Sequence, residues 1–158
     1  MNVFYLDTDP KRAAQSHGDK HCVKMILESA QLLSTAHHIL DGDAAPEGIY
    51  KCTHKNHPSG IWVRESVHNY LYVYELFIAL CDEYTARYGK THLTDTKLRH
   101  TLSQVPTAMP TAEFTEPPQV VPEECFRADT VSAYRALYLG PKRDIVAYAH
   151  SEAPEWFA

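Results

Sequence analysis

The sequence predicts a mainly α fold: one compact helical domain with a long proline-rich loop and C-terminal helices. Three observations predict it. Apolar residues recur with a helical period over two long stretches, 13–40 and 61–88. Only residues 3–6 (VFYL) read as a strand. With 158 residues, 44% of them apolar, the chain can bury one core without disulfide or metal staples. A helical core over residues 1–100, followed by a loop and helical extension over 101–158, is the expected organisation.

The elements follow in order. Asp7 to Pro10 reads as a turn or helix entry, with Pro suited to a first helical position. The helix over 13–40 has one soft spot at Gly18, a potential break into two. DGDAAPEG, residues 41–48, is a linker, and Pro58-Ser59-Gly60 signals a helix start. The second helix, over 61–88, stops at Gly89. A third is expected over 94–102, capped by Thr94 or Asp95. Residues 105–124 hold five of the ten prolines and read as extended loop. Such a loop in a small domain wraps the core or serves function. Helices are expected over 128–139 and 143–150, and the aromatic PEWF tail is expected to dock on the body.

Composition narrows the function classes. A formal charge of −5 excludes a broadly basic coat for nucleic acid. The acidity is uneven, however. Residues 1–100 carry 11 Lys+Arg against 12 Asp+Glu, and residues 101–158 carry 4 against 8. Nine of the ten histidines lie in the first hundred residues, so that part gains positive charge as they protonate. The apolar runs are too short to span a membrane. No secretion signal is visible, and Cys22, Cys52, Cys81 and Cys125 form no CxxC pair. A cytoplasmic protein with reduced thiols and no membrane partner is expected.

Two features point to chemistry. On the first helix His17, His21, Lys24, Glu28, Gln31 and Thr35 fall within about 80° of one another, and the remaining circumference is mostly apolar. A narrow polar stripe on a largely buried helix lines a cleft or a buried network, or else faces solvent. Within it, Glu28 is a carboxylate beside Lys24 and His21, a setting suited to acid–base work. His17 and His21 at i, i+4 are also a potential metal pair, with Glu28, Cys52, His54 and His57 as further candidates in no recognised pattern. No metal site is therefore assigned. The second feature is the segment 49–64, which contains no acidic residue. Its Lys51, His54, Lys55, His57 and Arg64, with Trp62, suit phosphate contact and base stacking. Arg87 and Lys90 add cations near the end of the second helix, and Arg135, Lys142 and Arg143 are further phosphate-contact candidates.

Asp19-Lys20-His21, followed seven residues after the His by Glu28, resembles the pyrimidine-dimer DNA glycosylases of phages. His57-Pro58 before an aromatic-rich helix is similar to that family's second half. The resemblance spans roughly residues 10–92 and implies a glycosylase-like helical fold. It implies duplex DNA as partner, an extruded nucleotide, Glu28 as catalytic carboxylate and His21 as a site-lining residue. Two departures shape the reading. Asn2 is a poor context for removing Met1, the step that exposes the reactive α-amine in that family. Leu27 and Gln31 stand where the family tends to place basic residues.

An external amine can replace the missing one. The expected activity is thus phage-type DNA base modification: transfer of an amino acid, such as glycine, to an activated 5-(phospho)methyl-deoxyuridine. Glu28, His21 and Lys24 are the expected catalytic residues. His17, Lys20, Gln31, Lys55 and His57 are expected to bind substrate. Lys51, His54, Trp62, Arg64, Arg87 and Lys90 are expected to bind double-stranded DNA. No cofactor is expected beyond a free amino acid as co-substrate. Two alternatives are a pyrimidine-specific glycosylase/AP lyase and a non-enzymatic phage inhibitor or binding module. A metal-dependent hydrolase is a third.

Overall fold

The chain folds as one all-helical domain in a computed structural model that describes residues 2–158. Its helices are α1 (Pro10–Ser16), α2 (Asp19–Asp41), α3 (Pro58–Val63), α4 (Val67–Tyr88), α5 (Leu93–Leu98) and α6 (Thr130–Leu139). Short 3-10 turns lie at Gly42–Ala44, Thr101–Ser103, Glu123–Cys125 and Glu155–Phe157. Among the described residues there is no strand. Residues 3–6 are extended, but they enter the core as an apolar plug rather than pairing with a neighbour. Val3, Phe4, Tyr5 and Leu6 are all buried.

Both long helices of the sequence are broken. Gly18 ends the first continuous run: His17 takes an extended backbone at the end of α1, and α2 restarts at Asp19. The second run breaks at Arg64–Ser66, where the Ser66 hydroxyl accepts the His68 N–H and caps α4. α4 closes on Gly89 in the left-handed conformation, φ +71°. α5 is capped by His92, two or three residues before the positions expected from the sequence, because the His92 ring accepts the Thr94 N–H.

α2 and α4 run antiparallel through the core. Asp19 meets Arg87 at one end, and the Tyr70 hydroxyl meets the His37 ring at the other, 2.9 Å apart. α2 is enclosed by α3, α4 and α5, which explains its wide apolar arc. The proline-rich loop is strapped across α3 and α4. Its Pro110 and Ala112 carbonyls accept from the Val67 N–H and the Ser66 hydroxyl, and its Thr115 exchanges hydrogen bonds with Asn69. The loop then crosses to α6, where the Val120 N–H donates to the Tyr134 hydroxyl.

The expected helix over 143–150 does not form. That backbone pairs instead with the start of α2: the Asp19 N–H donates to the Ala147 carbonyl at 2.8 Å, and the Ala149 N–H donates to the Asp19 carboxylate at 2.7 Å. The aromatic tail does dock, with Trp156 and Phe157 packed on Tyr138.

Arg87 is the polar hinge of this arrangement. Its guanidinium donates to the Gln15 carbonyl (3.2 Å), the His17 carbonyl (2.8 Å), the Asp19 carboxylate (3.2 Å) and the Glu83 carboxylate (3.0 Å). It is buried, so removing the cation strands Asp19 and two carbonyls in the interior. Arg87→Met is expected to cost about 3–5 kcal/mol, as for other broken buried ion pairs. Urea unfolding measures this, and a loss under about 1 kcal/mol would show that Arg87 does not hold the α1–α2 break.

Candidate active site

A cavity of about 360 Å³ lies along the polar stripe of α2. Five separate parts of the chain build it. Asn2 and Phe4 come from the N-terminal plug, His21, Lys24, Met25 and Glu28 from α2, and His57 from the cap of α3. Val120 comes from the proline-rich loop and Lys142 from the segment after α6. The volume is within the usual small-molecule range of about 300–1,000 Å³.

Local sequence explains each placement. His21, Lys24 and Glu28 are spaced i, i+3 and i+7, so they share one helix face. The Lys24 ammonium lies 3.7 Å from the Glu28 carboxylate. Segment 49–57 runs over the far end of the same face. The Tyr50 N–H donates to Ser34, and Thr53 exchanges hydrogen bonds with Thr35. That path delivers His57 to Glu28. The His57 Nδ1 accepts the Ser59 N–H at 3.1 Å and so caps α3. Asn2 is tied to the loop through its amide, which donates to the Val120 carbonyl at 3.3 Å.

His21 is the most constrained wall residue. Its Nδ1 lies 2.7 Å from the Tyr138 hydroxyl, which also receives the Gly18 N–H at 3.2 Å. Phe4 packs on the ring, with centroids 4.6 Å apart. Burial, and then the cations Lys142 and Lys24, push the His21 pKa down to about 4. Burial also lowers the His57 pKa, and the neighbouring His54 adds to the effect. The Lys142 ammonium sits 5.9 Å over the Phe4 ring at the cavity edge. The cavity thus joins one carboxylate to two ammonium groups and two imidazoles.

Other expected site residues lie elsewhere. The break at Gly18 takes His17 off the α2 face and seals it in the core, where its ring donates to the Ala13 carbonyl at 2.6 Å. A substrate contact through His17 is therefore corrected to a structural one. Trp62 is buried beneath the loop, its indole N–H directed at Thr115, so it offers no stacking face to DNA. Arg87 is the buried hinge and not a phosphate contact.

Lys20 is exposed one turn before Lys24, and Gln31 is half-buried one turn beyond Glu28. Lys51, His54 and Lys55 are exposed on the segment that crosses α2. Arg64 turns back to donate to the Lys55 carbonyl. Lys90 is exposed at the opposite end of α4, about 30 Å from Arg64 by helix length. Among the described residues no group of three or more His, Cys, Asp and Glu is placed to hold a metal ion. No described helix is long and apolar enough to cross a membrane.

The sequence reading missed Asn2, Phe4, Met25 and Val120 as wall residues and Tyr138 as the partner of His21. Asn2, Phe4, Val120 and Tyr138 carry no local signal, since each reaches the site through tertiary packing, whereas Met25 borders the stripe at i+4 from His21. A larger cavity of about 880 Å³ separates α1 from the C-terminal tail. Four carboxylates (Asp7, Glu83, Glu152, Glu155) outweigh its one cation, Arg12, so it repels phosphate. No protein-family model, curated protein or solved structure matches the chain.

The two buried histidines link stability to pH. His17, pushed by burial to about 3, and His21, at about 4, both titrate near 6.5 when unfolded. The unfolded chain therefore binds more protons between those values, so stability is complete well above pH 6.5, declines as pH falls below 6.5 and levels off near the folded values. Between pH 7 and pH 5 the expected loss is about 2 kcal/mol per histidine. Urea unfolding at the two pH values checks this, and unchanged stability would contradict neutral burial of both rings.

Proposed function

We propose that this protein modifies a pyrimidine base of duplex DNA, joining an amine, such as that of a free amino acid, to an activated 5-methylene carbon. The observation that carries this reading is the convergence of Glu28, His21, Lys24, His57 and Lys142 on one cavity. One carboxylate among four basic side chains suits a reaction that removes a proton at one point and releases an anion at another. Exposed Lys20, Lys24 and Lys55 supply cations toward the DNA backbone. The target nucleotide leaves the stack to reach the cavity, as in other enzymes that act on a base.

In the step itself the amine nitrogen attacks the 5-methylene carbon. The C–N bond forms while the C–O bond to the phosphate breaks, and the electron pair leaves on the phosphate oxygen. Glu28 takes the proton released from the nitrogen. Lys24 and Lys142 balance the charge on the departing phosphate or pyrophosphate, and His57 donates a hydrogen bond to it. His21, kept neutral at pH 7 by burial, serves as a hydrogen-bonding wall residue rather than the base.

A second reading, DNA glycosylase/AP lyase, is favoured by one observation: Asn2 shares the cavity with Glu28. Removal of Met1 would place the Asn2 α-amine at that site. The earlier expectation that Met1 is retained lies outside the described residues.

Nucleoside mass spectrometry distinguishes the readings. Duplex carrying phosphorylated 5-hydroxymethyluracil is incubated with glycine and the protein. The expected product is a base heavier by the added amine, with at least a hundredfold loss in Glu28→Gln. No adduct with the wild type would contradict the transferase, and a borohydride-trapped protein–DNA imine would establish the lyase.

A further inference from the structure

Both imidazoles in the cavity wall have their Nδ1 atoms engaged from behind. At His57 the partner is a backbone N–H, that of Ser59, which can only donate. The His57 Nδ1 is therefore the acceptor, and the ring proton lies on Nε2. At His21 the partner is the Tyr138 hydroxyl, which already accepts the Gly18 N–H. Were the His21 Nδ1 protonated, the Tyr138 oxygen would accept twice and its own buried proton would have no acceptor among the described residues. An unmet buried donor costs about 1–3 kcal/mol. The satisfied arrangement has Tyr138 donating to the His21 Nδ1, again leaving the proton on Nε2. In each ring the Nδ1 edge is taken up by protein, and the residue lines the cavity.

We infer that Tyr138 and the Ser59 N–H hold His21 and His57 as Nε2–H donors and that, with the Lys24 and Lys142 ammonium groups, these donors form a binding site for phosphoryl oxygens. Tyr138 is a positioning residue in this site, acting through His21. The donor set is rich and includes the Asn2 amide, whereas Glu28 is its one carboxylate. An oxygen-rich dianion satisfies several such donors at once. This inference rests on the proposed reaction for its biological meaning, since the phosphoryl group is then the one that leaves. It gives the cavity two sides: donors for the leaving oxygens and Glu28 for the proton. The larger cavity, with its four carboxylates, is the internal contrast.

Long-range 15N–1H NMR reads the tautomer of each histidine directly, with pyrophosphate as the probe for binding. The wild type at pH 7 is expected to show Nε2–H forms at both His21 and His57. Added pyrophosphate should shift both Nε2 resonances, and Lys142→Ala should weaken that binding at least tenfold. Tyr138→Phe should move His21 toward a mixture of tautomers and leave His57 unchanged. A Nδ1–H or imidazolium form of either ring in the wild type would overturn the inference, and that measurement needs no variant to fold. Absence of any pyrophosphate shift would also overturn it. Correct tautomers with pyrophosphate bound, but no modified base in the nucleoside assay, would refute the proposed reaction alone.

Discussion

Arg87 fixes where α2 begins, and the direction of the whole polar stripe follows from that point. The guanidinium binds two backbone carbonyls just before the Gly18 break and, beyond it, the first carboxylate of α2. Asp19 in turn receives the Ala149 N–H from the C-terminal segment. One buried ion pair thereby joins α1, α2, α4 and the chain end. A charge-assisted network in a low-dielectric interior holds its geometry more firmly than apolar contact alone. The α2 helix can then present His21 and Glu28 at a set angle to the rest of the chain.

The cavity arises because the parts docked on α2 leave its polar stripe incompletely covered. Segment 49–57 covers the end near Thr35, and the Tyr138 hydroxyl binds the face at His21. Between them, Phe4 and Met25 supply apolar wall, and Lys24, Glu28 and Lys142 line the opening. Burial keeps the His21 ring neutral beside Lys24 and Lys142, so the proposed roles of the donors and the carboxylate stay separate in one small volume. That division of roles is the physical basis for reading the cavity as a site of group transfer.

The helical period carried the main elements of the fold. It placed the C-terminal ends of α2 and α4 within one residue and α6 within two, but it ran both long helices six residues too far at their starts; Gly18 and Gly89 marked real boundaries. The i, i+3, i+7 spacing likewise placed His21, Lys24 and Glu28 on one face. The period over 143–150 misled, because there backbone pairing with Asp19 overrides local preference. His17 was misassigned because a helical wheel assumes one continuous helix across Gly18. Trp62 and Arg87 look like surface ligands by residue type, and only the packing of the loop and of α1 shows that they are interior. Lys142 and Asn2 are far from Glu28 in sequence, so their convergence could not be read from spacing.

The central claim is that this one cavity receives the modified pyrimidine. The most direct measurement is an NMR titration of isotope-labelled protein with two duplexes. One carries a single phosphorylated 5-hydroxymethyluracil, and the other carries thymine at that position. The account predicts that signals of Lys24, Glu28, His57 and Lys142 shift with the modified duplex and far less with the thymine duplex. Equal shifts with both duplexes, or shifts confined to residues around the larger cavity such as Arg12 and Trp156, would contradict it.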